Sequence, residues 1–194
     1  ARQGDILQLD VDGSTVATFT LTSGFFDGNV VSWTYSDSLT EGMRVAKVRL
    51  ARGVNASAWS TTFAFTVDLT APNLSSPDAS ATYSTTATGQ VSTDECNGTL
   101  FWVCDQGGTP SAAQVVAGLD SGGAAADAAG NQAVTGAGVQ TVTLIEGLTA
   151  AANYKVYYCQ RDEAGNLSSV SASAQFTTNA AFSDPTSISG LNTR

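Results

Sequence analysis

Whatever chemistry this 194-residue chain can perform falls to 17 acidic side chains and three cysteines, because it contains no histidine. Ser-His-Asp and Cys-His machinery, and most zinc and iron sites, lose a required member without an imidazole. Two carboxylate pairs remain as glycosidase-like candidates, Asp94 with Glu95 and Asp162 with Glu163. Adjacent residues on a strand point to opposite faces, so neither pair converges on one sugar unless a loop bends it. The expectation is therefore no catalytic residue and no cofactor. DVDG at 10–13 opens like an oxygen-ligand loop, yet no Glu follows at the required distance. Asp10, Asp12 and Gly13 read instead as a hairpin turn between LQL and TVATF.

Composition sets the class of scaffold that must position these groups. The chain is 42% hydrophobic and only 13% charged, with 19 Gly. Its Thr, Val, Ser, Ala and Gly flavour favours strands and turns over helices. A net charge of -9 argues against nucleic acid, since phosphate binding needs basic side chains to displace counterions. No apolar run is long enough for a membrane span, and no signal peptide is visible. The chain begins at Ala1 without an initiator Met, which points to processing or to a longer polypeptide.

Two units emerge along the chain. The first holds five strand-like runs: GDILQLDVDG, TVATFTL, NVVSWTYS, MRVAKVRLARG and STTFAFTVD. In the last, Phe63, Phe65 and Val67 share one side, and the run halts at VDLTAP and the polar stretch NLSSPDAS, which reads as a linker. In the second unit, TTATGQVSTDE (85–95) and GTLFWVCD (98–105) read as neighbouring strands joined at the turn CNG. In TPSAAQVVAGLD, Thr109 is placed to cap, Pro110 to start and Gly118 to end a short helix. SGGAAADAAGNQ is too poor in large side chains to pack and reads as a loop. Alternation returns in VQTVTLI (139–145) and YKVYYCQ (154–160).

The stretch EGLTAAANYKVYY resembles the corner of fibronectin type III and related immunoglobulin-like sandwiches. There a Leu, a short loop and a Tyr introduce strand F, and the Tyr hydroxyl bonds back to backbone. Leu148 and Tyr154 stand in those positions, with Val156 and Tyr158 continuing the inward face. RDEAGNLSSVSASAQFTT is similar to the last turn and strand of bacterial tandem repeats, and VDLTAP is similar to the V-D-x-T-A-P junction between such repeats. LTEGMRVAKV occupies the corner position of the first unit but carries Met43 where a Tyr would stand. The resemblance implies an all-β chain of two tandem immunoglobulin-like or fibronectin III-like β-sandwiches, the second with a short inserted helix. The first sandwich spans 1–70 and lacks its N-terminal strands, which would precede Ala1 or come from another chain. A linker at 71–76, the second sandwich at 77–178 and a C-terminal tail at 179–194 complete the division.

In such a sandwich Cys104 lies in strand C and Cys159 in the neighbouring strand F. If Tyr154, Val156 and Tyr158 point inward, Cys159 points outward, where a bridge to Cys104 would close a loop of about fifty residues and stabilise by ~4 kcal/mol. The competing pair is Cys96 with Cys104 along one hairpin, and a third reading leaves all three thiols reduced. With the 104–159 bridge, Cys96 is left for an intermolecular bond or as a free thiol. Trp102 shares strand parity with Cys104, so the outward phase places it beside Tyr157 as a contact surface for a sugar or a subunit. The opposite phase puts Trp102 in the core. Trp33 and Trp59 also lie in or beside strands. By analogy with similar adhesin repeats, Asp68 at the junction, together with Asp162 or Glu163, is the candidate set for a Ca2+ ion that stiffens the joint.

The run NGTLFWV, SAAQVVAGLD, VQTV, GL, YKVYY, DEAGN looks like repeats in tail-fibre and other virion proteins of bacteriophages. That resemblance implies a non-enzymatic structural or adhesion module on a virion surface, as fibre, tail or capsid decoration. Its partners would be other virion proteins or its own copies, and host-surface glycans. A repeat segment of a secreted bacterial adhesin is the rival reading, and an accessory module of a carbohydrate-active enzyme is the third.

Overall fold

A computed structural model describes residues 3–22, 34–36 and 38–182. The chain divides into two compact units, Ala1–Thr70 and Ala71–Arg194.

In the first unit, β1 (Ile6–Val11) and β2 (Ser14–Thr20) form a hairpin. Its turn residues, Asp12 and Gly13, both have positive φ (55° and 87°), the conformation that matches the right-handed twist of paired strands. Asp10 fastens the turn by accepting from the Gly13 N–H at 3.0 Å. β3 (Gly42–Arg52), β4 (Asn55–Ala56) and β5 (Phe63–Val67) complete one antiparallel sheet in the order β2-β1-β3-β4, with β5 also on β3. Charge pairing supports the β1–β3 register. Arg52 meets Asp5 through two bonds of 2.6 and 2.7 Å, Lys47 meets Asp10 at 3.7 Å, and Arg44, just past the paired stretch, meets Asp12 at 3.0 Å. Arg49 donates to the neutral Gln8 at 2.7 Å and lies with Lys47 over the Trp59 ring. Most of NVVSWTYS, including Trp33, lies outside the described residues.

The second unit is a two-layer sandwich. β6 (Leu74–Ala81), β7 (Ala87–Thr93) and β10 (Gly138–Ile145) form one sheet in the order β10-β7-β6. β8 (Thr99–Asp105), β9 (Ala128–Ala133), β11 (Asn153–Arg161) and β12 (Ser171–Ala172) form the other, in the order β12-β11-β8-β9, and β13 (Phe176–Thr177) also pairs with β11. Between the layers lie Val91, Leu100, Trp102, Ile145, Val156 and Tyr158, all buried. Helix α1 (Ala112–Ala117) packs on the opposite face of the β8–β11 pair. There Val115, Val103, Tyr157 and Cys159 form a second, smaller core. Burying a side chain such as Val115 stabilises by roughly 2 kcal/mol and helps to hold a helix of six residues that could not stand alone.

Four expectations need correction here. NLSSPDAS is not a linker: β6 starts at Leu74, and Pro77 is tolerated because it sits at an irregularity between Ser75 and Asp78 on an edge strand. β7 and β8 do not pair, because the corner at 94–98 carries the chain from one sheet to the other. SGGAAADAAGNQ contributes an edge strand, β9, whose small residues are what its site requires. A Cβ at Gly130 would lie 2.5 Å from Trp102 Cζ2. Finally, α1 is capped by Ser111 rather than Thr109. The Ser111 hydroxyl accepts from Gln114 N, and the Gln114 side chain accepts from Ser111 N, closing a capping box, while Gly118 ends the helix at φ 72°.

Candidate functional site

The β8–β11 register decides what the sequence-predicted residues do. Trp102 faces Tyr158 and Cys104 faces Val156 on the inner side, whereas Val103 faces Tyr157 and Phe101 faces Cys159 on the outer side. Cys104 and Cys159 therefore point to opposite faces of the sheet, and all three cysteines are free. The expected bridge is replaced by two buried thiols. Burial pushes Cys104 up to about 12, with the carboxylates of Asp127 and Asp105 adding to the effect. Burial raises Cys159 as well, and its Sγ lies 3.4 Å from the Ser168 carbonyl oxygen, to which it donates. Cys96 is exposed at the β7–β8 corner.

Trp102 and Tyr157 do not form an outward contact surface either. Trp102 lies between the sheets at 9% exposure, and Tyr157 is sealed under α1 at 1%. The run YKVYYC lacks a polar residue at every second position, which is the sequence signal of a strand buried on both faces. Reading it so would have placed Tyr157 and Cys159 beneath the inserted helix.

At the corner before β11, Leu148 is buried and donates its N–H to Thr85 O at 3.1 Å. The Tyr154 hydroxyl accepts from Thr149 N at 2.9 Å and from Gln106 Nε2 at 3.3 Å. Tyr158 makes a second tie, donating across the interior to the Asp78 carbonyl oxygen at 2.8 Å. The two layers are thus joined by the Tyr158 hydroxyl as well as by packing. The pairing β10-β7-β6 against β12-β11-β8-β9, with the tyrosine at the entry to β11, decides the fold.

The second unit is a fibronectin type III-like sandwich. Among the described residues the chain is all-β apart from α1. No family model and no curated protein matches it. Among solved structures it is similar to the FN1-FN3 domains of chicken CNTN1, at 13% identity and a TM-score of 0.46, over 91% of this chain and 54% of that one. It is also similar to the central fibronectin-III array of RIM-binding protein, at 15% identity and a TM-score of 0.33, over 93% of this chain and 58% of that one. The chain spans little more than half the length of those structures.

Asp68, Asp94 and Asp162 are engaged in local structure. Asp162 Oδ1 accepts from Gly165 N and Asn166 N at 2.7 and 2.8 Å, and its Oδ2 from Asn166 Nδ2 at 2.9 Å, which closes the DEAGN loop. Glu163 is exposed on that loop, and Asp68 accepts from Thr70 N at 3.1 Å. Asp94 accepts from Asn73 N at 2.8 Å. Among the described residues, no three acidic or thiol side chains gather into a group that would hold a metal. No helix among them is long and apolar enough to cross a membrane.

One feature escapes the sequence reading. A cleft of about 210 Å³ opens between α1 and the outer side of the β8–β9 edge. Phe101, Val116, Gly118, Ala129, Gly130 and Asn131 are among the residues that line it. The Arg161 guanidinium lies over the Phe101 ring, 5.6 Å from its centroid.

Proposed function

We propose that this chain is a non-enzymatic structural or adhesion module of a bacteriophage virion protein, displayed on the particle as fibre, tail or capsid decoration. The observation that carries the reading is the construction of the second unit, a fibronectin III-like sandwich filled by side chains and tied between layers by the Tyr158 hydroxyl. A scaffold of this kind keeps its shape while its faces and loops meet partners, and sandwiches like it are common on cell surfaces. Its partners would be neighbouring virion subunits, its own copies, or glycans of the host surface. The sequence resemblance to virion repeats supplies the particle context, and the fold is equally suited to a bacterial surface adhesin.

Mass spectrometry of phage particles purified from the source organism by density gradient tests the proposal. The expected result is peptides of this chain in the particle band at a constant ratio to the major capsid protein. Peptides confined to the cell-envelope fraction would replace the virion reading with the adhesin one.

A further inference from the structure

We infer that the apolar face of the first unit's sheet is a docking surface. Its occupant is a pair of antiparallel β-strands, equivalent to β6 and β7, carried by polypeptide ahead of Ala1. The two units share one sheet plan. The order β2-β1-β3-β4, with β5 also on β3, repeats as β9-β8-β11-β12, with β13 also on β11. Register agrees as well: Leu7 faces Leu50 and Leu9 faces Val48, as Leu100 faces Gln160 and Trp102 faces Tyr158. A serine marks the same point in both. Ser57 donates its N–H to Leu50 O at 2.8 Å while its hydroxyl accepts from Leu50 N at 3.1 Å. Ser168 makes the same two bonds with Gln160, each at 2.9 Å.

The units differ in what covers this shared inner face. In the second, β10-β7-β6 lies across it, and Leu100, Trp102 and Tyr158 are buried. The described residues of the first form a single sheet. Its corresponding face carries Leu7, Leu9, Val48, Leu50, Phe63 and Phe65, none of them buried, with Val48 37% and Phe63 68% exposed. The opposite face carries Gln8, Lys47 and Arg49 beneath Trp59, with Val45 and Met43 toward one end. A sheet with one apolar face becomes a stable layer by burying that face against a second layer. The second unit supplies the pattern. There β6 and β7 stand directly before β8, within the 25 residues from Leu74 to Gly98, with Ala87 and Val91 of β7 turned inward and Gln90 outward. The same order places their counterparts directly before β1, where five residues precede Ile6, too few for two strands.

The test is maleimide labelling of Val48→Cys, in a Cys96→Ser background. It compares the 194-residue chain with the same chain extended by the 25 residues encoded upstream, the length that β6, β7 and their turns occupy. Cys104 and Cys159 are buried, so the introduced thiol reports on the face alone. It should react freely in the 194-residue chain and at least about tenfold more slowly in the extended one. Thr66→Cys, at an exposed position on the opposite face, should react alike in both. Leu9→Cys, at the residue facing Val48, repeats the measurement at a second point of the face. Equal reactivity of the face thiols in the two proteins overturns the assignment, because no upstream strand then reaches them. Slow reaction in the monomeric 194-residue chain also overturns it, by showing that the chain covers the face itself. Protection that grows with protein concentration overturns the assigned occupant in favour of a second copy.

Discussion

Tyr158 and Gly89 share one space in the interior of the second unit. A Cβ built on Gly89 would overlap the Tyr158 hydroxyl oxygen and lie 3.3 Å from its Cζ, so the position excludes every side chain while the tyrosine reaches Asp78. Gly89→Ala is expected to destabilise the protein by about 2 kcal/mol or more, through overpacking and displacement of the hydroxyl from its acceptor. Adding Tyr158→Phe removes the overlapping atom. The double variant should then be more stable than the sum of the two single losses predicts, a coupling read from urea midpoints of all four proteins.

The corner tie is separable from that one. Tyr154→Phe deletes the acceptor for Thr149 N–H and for Gln106, while the ring keeps its place beside Phe176. A loss of roughly 1 kcal/mol is expected, seen as a lower thermal midpoint without a change of fold by circular dichroism.

Thiol chemistry should follow burial. In the native protein a maleimide at neutral pH should label Cys96 quickly and leave Cys104 and Cys159 unmodified. After denaturation without reductant all three should react. If Cys96 alone reacts in the denatured, unreduced protein, Cys104 and Cys159 are bridged and the β8–β11 register is wrong.

Alkaline pH should weaken the fold before acid chemistry becomes relevant to its core. Burial raises Cys104 from 9.0 to about 12 and also raises Cys159, Tyr157 and Tyr158. A group that holds its proton more tightly when folded contributes stability that is complete below its unfolded value. That contribution is lost as pH climbs through the folded value. For Cys104 the window runs from pH 9 toward 12 and the loss reaches roughly 4 kcal/mol at most. Urea midpoints should therefore fall across that window, and Cys104→Ala should flatten part of the decline.

How much of this was legible beforehand depended on whether a residue's neighbours were local. The all-β class, the two units and the tyrosine corner follow from alternation, turn residues and a short motif, all of which are local signals. β9 was hidden because its small residues look unfit to pack, and only the distant Trp102 makes Gly130 a requirement. β6 was hidden because Pro77 looks like a strand breaker until the sheet order shows an edge. The facing of Cys104 and Cys159 depended on strand phase, where a shift of one residue exchanges the two faces. The cleft at Phe101 and Asn131 is made by three elements, so no single stretch of sequence announces it.

The central claim is the location of the module on a phage particle. Immunogold electron microscopy, with an antibody against this chain on a lysate holding both cells and phage, tests it most directly. Gold at a repeated position on capsid, tail or fibre is the predicted result, and it would also identify which of these carries the module. Gold restricted to cell surfaces, with particles in the same field unlabelled, would contradict the account and assign the chain to a bacterial adhesin.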